Sequence, residues 1–238
     1  DHYDVFLLQG LGRRRWTTSR VDCNPKNFLE YTPLRIMKNF IKETTWDAEP
    51  GDIVYIPPEV AHHGVSLDDE CITLSFGYRS YLNNEMFNSL ELPINKNDAY
   101  LKDPTWEINI HPAEISQSAI EQSKSLLNIT ELPEDFFGCF VTKLDPEDEK
   151  KFNEVRAYQM QDRLEEFGLY HLHPICKIAY QFINNELRVF INGEVFNSRG
   201  LDDDLVIDFC NKRQLKLDNK NRDLAEQLMS LCLIEKST

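Results

Sequence analysis

Short runs that mix β-branched, aromatic and polar residues fill the first third of the chain. Residues 5–9, 13–18, 53–56 and 71–78 have this character and are predicted as strands. Gly10-Leu11-Gly12 and Pro50-Gly51-Asp52 supply turns between them, and Pro57-Pro58 ends the third run. Many short strands separated by glycine and proline turns predict a β-sandwich or barrel over residues 1–80.

Residues 81–165 have a helical pattern instead. A polar-rich helix is predicted over 113–127, a second over 133–140, and a long charged one over 145–167. Phe136, Phe137 and Phe140 fall on one face of the second helix. Such a face needs a cover, while the charged stretch over 145–167 is either a solvated face or a partner surface. We favour oligomerisation through this region.

Residues 166–238 predict a small α+β unit. Strands over 177–183 and 187–191 flank Asn184-Asn185, which is a hairpin signal, and Asn192-Gly193 marks a second turn. Helices are predicted over 201–211 and 221–232. A hairpin with two helices of this size suits a winged-helix-like domain. The chain thus divides into three predicted regions, at 1–80, 81–165 and 166–238.

Composition narrows the classes of partner. The chain has 238 residues, of which 41% are hydrophobic, and its net charge is −14. This charge disfavours binding to phosphate backbones, so no direct DNA binding is expected even for a winged-helix-like domain that carries Asp202-Asp203-Asp204. The charge favours a basic protein partner, with solubility alone as the competing explanation.

The six cysteines form no CxxC pair and lie in apolar runs. This pattern is typical of reduced, packed cysteines in a cytoplasmic protein. No run is long and apolar enough to cross a membrane, and no signal peptide is visible. The chain begins with Asp1 and enters a strand at once, so we expect that an N-terminal part of the domain is missing.

Two stretches carry candidate chemistry. In PGDIVYIPPEVAHHG, residues 50–64, a strand ends at a proline pair and His62 follows after a short loop. A barrel can hold such a histidine rigidly enough for it to ligate a metal. The alternative is a solvent-facing loop histidine. His63 is expected to face away from its neighbour.

The second stretch, DHYDVFLLQGLGRRRW over residues 1–16, contains three consecutive arginines. In an alternating strand Arg13 and Arg15 face one way and Arg14 the other. An inward guanidinium needs a carboxylate partner, and a ligand carboxylate is one candidate. The alternative is a basic surface patch, which is expected to describe two of the three.

These two stretches, together with LSFGYR over residues 74–79, resemble the JmjC iron(II)/2-oxoglutarate oxygenases. The similarity is greatest to the bacterial ribosomal oxygenases, which hydroxylate an arginine of a large-subunit ribosomal protein. DPTWEINIHPAEI, over residues 103–115, resembles that family's entry into its helical region. The resemblance implies a double-stranded β-helix, a helical dimerisation region, a winged-helix-like C-terminal domain and a homodimer.

The resemblance also implies site residues. It places Fe(II) on Asp1 and His62, with a third ligand, a histidine two residues before Asp1, that is absent from this sequence. It places the cosubstrate 2-oxoglutarate on Arg14, and, more weakly, on Thr73 and Ser75, which share a strand face.

Other histidines compete for the metal role. His2-Tyr3-Asp4 is itself an HxD pair, but choosing it shifts the motif by three residues and reverses the strand face that looks inward. His171 and His173 lie without a nearby carboxylate motif and are interpreted as structural, as is His111.

The function implied is an Fe(II)- and 2-oxoglutarate-dependent protein hydroxylase that acts on a ribosomal protein. The alternative is a cupin-like binding or scaffolding protein without catalysis. A third hypothesis is a winged-helix regulator that binds DNA, which the negative net charge disfavours.

Overall fold

A computed structural model describes residues 4–21, 25–32, 34–78, 80–92, 99–101, 111–159 and 167–237. The chain separates into two compact units, Asp1–Leu82 and Asn83–Thr238. Among the described residues, no helix combines the length and the apolar character that a membrane crossing requires.

The first unit consists of two antiparallel three-stranded sheets. Its strands are β1 (Asp4–Leu11), β2 (Arg14–Ser19), β3 (Lys42–Ala48), β4 (Ile53–Ile56), β5 (Ala61–Ser66) and β6 (Ile72–Tyr78). One sheet has the order β4-β1-β6 and the other the order β3-β2-β5. Apart from β2 and β3, which pair within one sheet, consecutive strands alternate between the two sheets, in keeping with the predicted double-stranded β-helix.

The core of this unit lies between the two sheets. Val5, Leu7, Val54 and Ile56 from the first sheet form one buried cluster with residues of the second, including Trp16. The alternation of a strand explains which β1 residues enter the core, because Val5, Leu7 and Gln9 are buried while the residues between them are not. The opposite face of the β4-β1-β6 sheet carries exposed apolar side chains, namely Ile53, Tyr55, Leu74, Phe76 and Tyr78.

Gly12 joins the two sheets. It has φ +63° between β1 and β2, and a Cβ at this position would overlap the Glu70 carbonyl oxygen. Only glycine combines the left-handed conformation with this close approach. The link is only two residues long. The position of β1 therefore determines which residues of β2 point inward.

The second unit combines helices with two small sheets. Its helices are α1 (Asn83–Ser89), α2 (Gln117–Leu127), α3 (Phe136–Thr142), α4 (Pro146–Gln159), α5 (Asp203–Lys212) and α6 (Arg222–Ser230). Its strands are β7 (Gly168–Leu172), β8 (Ile178–Ile183), β9 (Glu186–Ile191), β10 (Glu194–Phe196), β11 (Gln214–Leu217) and β12 (Ile234–Lys236). The sheets have the orders β10-β9-β8 and β11-β7-β12.

Turn chemistry explains the β8–β9–β10 meander. Asn184 and Asn185 have φ of 51° and 64°, and Asn192 and Gly193 have φ of 54° and 90°. Two successive residues with positive φ define the tight turns that match the twist of paired strands. Both turn predictions are therefore confirmed, and so are the helices predicted near 201–211 and 221–232.

The phenylalanines of α3 behave differently from the expectation. Phe137 is 4% exposed. It belongs to a cluster with Met86, Phe87 and Leu127, against which Phe136 and Phe140 also pack. Phe137 is therefore covered within the same unit, whereas Phe136 and Phe140 are only partly buried, and oligomerisation through this region stays a prediction. The three-region division of the chain stays a prediction.

Candidate functional site

Arg14 and His62 lie on the same face of the β3-β2-β5 sheet. The antiparallel register pairs Arg14 with Ser66, Trp16 with Gly64 and Thr18 with His62. Directly paired residues of antiparallel strands point to the same side. The two predicted site residues thus share the face that carries Trp16 into the core.

The arginine triplet divides as its alternation predicts. Arg13 pairs with Asp68, its Nη2 lying 3.0 Å from Oδ1, and Arg15 pairs with Asp47, its Nε lying 2.6 Å from Oδ1. Both outer guanidinium groups are on the surface. Arg14 is half-buried, and its Nε is buried without a hydrogen-bond partner among the described residues. The middle arginine is therefore the one whose donor still needs an acceptor.

The geometry of His62 suits a metal ligand. Its ring is half-buried at the start of β5, and its Nδ1 lies 3.0 Å from the carbonyl oxygen of Val60. Donation from Nδ1 leaves the lone pair on Nε2, and a backbone partner of this kind fixes both tautomer and ring orientation. Burial lowers the pKa of His62, which favours the neutral imidazole that metals bind.

The other predicted metal ligand, and its alternative, lie at the beginning of the chain. Asp1 lies outside the described residues, as does His2. No group of three or more His, Cys, Asp or Glu side chains in the described part of the chain is arranged to hold a metal. Asp4 lies on the outer face of β1, where Tyr55 donates a 2.6 Å hydrogen bond to it. That placement argues against the His2-Tyr3-Asp4 alternative.

Thr73 and Ser75 lie on the inner face of β6, opposite Gln9 and Leu7. Thr73 donates a 2.7 Å hydrogen bond to Gln9 Oε1, and Ser75 is exposed. Gln9, which is 1% exposed, in turn donates to the carbonyl oxygens of Leu11 and Gly12. Thr73 is thus part of a network that holds the β1–β2 link, and a cosubstrate role for it stays a prediction.

The other described histidines have different surroundings. His63 points to the opposite side of β5, where its ring contacts Phe40. His173 is buried in the second unit against Phe152, and His111 contacts Asn211. Their structural interpretation agrees with these positions.

Two inward residues of the first unit were not singled out from the sequence. Gln9 and Trp16 both carry polar atoms into the interior of the first unit. Gln9 has the parity of the buried Val5 and Leu7, and Trp16 has the parity of Arg14. That shared parity was the available signal.

Two family models match the chain. A JmjC domain matches residues 1–86, and a ROXA-like winged helix matches residues 125–234. Among curated proteins, the chain is 31% identical over 155 residues to the ribosomal protein uL16 3-hydroxylase of Escherichia coli. It is 43% identical over 81 residues to a "Probable ribosomal oxygenase" of Haemophilus influenzae.

These relatives are longer than the matched region. The first alignment covers 60% of this chain and 40% of the relative, and the second covers 33% and 20%. The fold agrees with solved structures as well. The ribosomal oxygenase YcfD of E. coli in complex with cobalt and 2-oxoglutarate has a TM-score of 0.55 and 21% identity, and the match covers 100% of this chain and 65% of that chain.

The two matched domains follow each other in the order that the fold shows, with the double-sheet unit first and the winged-helix unit second. The cupin-like fold and the winged helix that the sequence predicts are confirmed. The chain thus carries, in this order, a region that matches a JmjC domain and a region that matches a ROXA-like winged helix.

Proposed function

We propose that the protein is an Fe(II)- and 2-oxoglutarate-dependent hydroxylase that acts on an arginine of a large-subunit ribosomal protein. One observation carries the proposal. A half-buried arginine, whose Nε has no partner among the described residues, lies on the same sheet face as a histidine whose tautomer is fixed for metal binding. An acid-binding cation beside a metal ligand is what a cosubstrate with a carboxylate at each end requires.

Each residue has a distinct task in this proposal. Asp1 and His62 would hold the iron, and Arg14 would pair with the far carboxylate of 2-oxoglutarate. When bound, the iron supplies oxygen activation coupled to oxidation of the cosubstrate. Asp1 has the parity of the inward residues Val5 and Leu7, which supports it over Asp4. Thr73 and Ser75 would add weaker polar contacts.

Support for the substrate class comes from the relatives and from the charge. One relative is named as a hydroxylase of ribosomal protein uL16 and another as a ribosomal oxygenase. The net charge of −14 favours a basic partner over a nucleic acid. A homodimer and a cytoplasmic location belong to the same proposal. The free thiols of Cys71, Cys139, Cys176, Cys210 and Cys232 support a reducing compartment.

The test is consumption of 2-oxoglutarate by the iron-loaded protein with ribosomal protein uL16 or its peptides as substrate. We expect turnover by the wild type and loss of at least about a hundredfold in His62→Ala, since removal of a metal ligand affects both affinity and activity. His63→Ala is the matched control, because its ring lies on the opposite face of the same strand.

A second candidate is a cupin-like protein that binds without catalysis. The fold leaves it open, because one fold can serve binding proteins and enzymes alike. Turnover that is absent in the wild type, or equal in wild type and His62→Ala, would favour this candidate. A hydroxylated product 16 Da heavier at an arginine would exclude it, since one oxygen atom adds about that mass.

A further inference from the structure

Trp16 lies between the two functional side chains of the β3-β2-β5 sheet. The Arg14 guanidinium carbon lies 5.8 Å from the centroid of its ring, and the ring of His62 lies 6.0 Å away on the other strand. Trp16 is 8% exposed. A large rigid ring thus contacts both the proposed acid-binding cation and the proposed metal ligand.

The backbone opposite Trp16 is shaped for this ring. Gly64 is its direct partner on β5, and a Cβ at Gly64 would lie 2.7 Å from the ring atom Cζ3. Any larger residue would push the indole aside. The ring position is therefore set from both sides, by its neighbours on the face and by a glycine beneath it.

The indole of Trp16 also carries a buried donor without an acceptor. Its Nε1 is buried and has no hydrogen-bond partner in the described part of the chain, as is also true of Arg14 Nε. An indole N–H can only donate, so the group that satisfies it has to be an acceptor. Two unsatisfied donors on adjacent inward residues of one strand are suited to a carboxylate.

We propose that Trp16 is a cosubstrate-binding residue, which positions Arg14 and His62 through its ring and donates from Nε1 to the acid that Arg14 binds. The inference rests on the proposed function and deepens it. It adds a neutral donor to a site otherwise assigned to one cation and the metal. It also explains the glycine at position 64, because this residue leaves the space that determines where Trp16 Nε1 lies.

The first experiment measures binding of 2-oxoglutarate by calorimetry to the protein loaded with Zn²⁺, which has no redox chemistry. Trp16→Phe keeps an aromatic ring and removes the N–H. We expect about tenfold weaker binding, in line with the loss of a hydrogen bond to a charged group. Trp46→Phe is the matched control, since Trp46 pairs with Trp16 across β2 and β3 and has no orphaned donor.

The outcomes separate the two proposals. Binding by the wild type that is unchanged in Trp16→Phe overturns the role of Trp16 and leaves the proposed function standing. No binding of 2-oxoglutarate by the wild type overturns the proposed function and this inference with it. Weakening in Trp16→Phe together with near-wild-type affinity in Trp46→Phe supports both.

A second measurement does not depend on how Trp16→Phe folds. The sequence has three tryptophans, and a Trp46→Phe/Trp106→Phe protein retains Trp16 alone. We expect its emission to shift when 2-oxoglutarate is added to the Zn²⁺-loaded form, because the indole N–H gains an acceptor. An unchanged spectrum at saturating ligand would overturn the assignment.

Gly64→Ala tests the position of the ring with its chemistry intact. We expect weaker 2-oxoglutarate binding than in Gly10→Ala, where the added Cβ meets only the Ile72 carbonyl oxygen at an ordinary 3.5 Å. Equal affinities in these two variants would contradict the requirement for a fixed indole.

Discussion

At the scale of single residues, Cys71 reports on the charge of Arg14. Partial desolvation raises the pKa of this thiol, but hydrogen bonds with Ser66 and Gln9, the positive charge of Arg14 and a hydrogen bond with Arg14 outweigh it, so that its pKa lies below the ordinary value. Cys176 and Cys210 differ, since burial raises their pKa to about 11 and about 12. Among these three, Cys71 should carry the most thiolate at neutral pH.

Alkylation of Cys71 should therefore depend on Arg14. A cation stabilises the thiolate, so removing it in Arg14→Ala raises the thiol pKa, and the midpoint of the pH–rate profile should move to higher pH. Peptide mass spectrometry after timed iodoacetamide labelling measures this for each cysteine separately. Arg13→Ala is the control, because Arg13 pairs with Asp68 on the surface. Equal midpoints in wild type and Arg14→Ala would refute the coupling.

The inward direction of Arg14 could be read from the sequence because a strand alternates strictly. The role of Trp16 could not, since its orphaned donor and its contact with His62 arise from pairing between β2 and β5, which are separated by some forty residues. Local patterns state which side chains share a face, whereas only the register across strands states which of them touch.

At the scale of elements, the acidic run Asp202-Asp203-Asp204 stabilises the beginning of α5. Asp202 is the N-cap of this helix, and its Oδ1 accepts hydrogen bonds from the backbone N–H of Asp204 at 3.0 Å and of Leu205 at 3.4 Å. Asp203 and Asp204 follow in the first turn. Negative charge there also complements the helix dipole. The run thus stabilises the start of α5, besides disfavouring DNA.

Loss of the cap should lower stability. Asp202→Ala removes the acceptor of both N–H groups, and we expect the free energy of unfolding to fall by about 1 kcal/mol. Asp203→Ala is the matched control and should cost about half of that or less, since it changes charge near the helix end without removing a cap. Urea unfolding followed by circular dichroism measures both. Equal losses would indicate that charge, not capping, is what matters.

Several strands could not be predicted from local sequence. β3 is exposed along most of its length, with the burial sequence of a surface strand, and β7, β11 and β12 are three to five residues long and form one sheet from distant parts of the chain. Hairpins such as β8–β9 were predictable because their turn residues and both strands are adjacent. Pairing over long separations leaves little local signal.

At the scale of the whole molecule, the net charge affects the rate at which a basic substrate would associate. The chain carries 40 acidic and 26 basic residues. A net charge of this size speeds the approach of a basic partner and is screened by salt.

Association with a basic peptide of the proposed ribosomal substrate should weaken as salt rises. We expect a loss of about tenfold between about 50 mM and about 500 mM ionic strength, chiefly in the association rate. Stopped-flow fluorescence at several salt concentrations measures the rate. The control peptide has its lysines replaced by glutamine and should respond less. A salt-independent rate for the basic peptide would show that charge does not guide the encounter.

Because the link at Gly12 is short, an insertion or deletion in it would change which residue of the arginine triplet points inward. A one-residue slip of β2 relative to β1 would turn Arg13 or Arg15 inward in place of Arg14, so the interior would still receive a guanidinium. The indole would not survive the same slip, because Arg15 or Thr17 would replace Trp16 opposite the space left by Gly64. Homologous chains with a longer or shorter link should therefore still place an arginine inward. They should need a further substitution to place a tryptophan opposite the glycine.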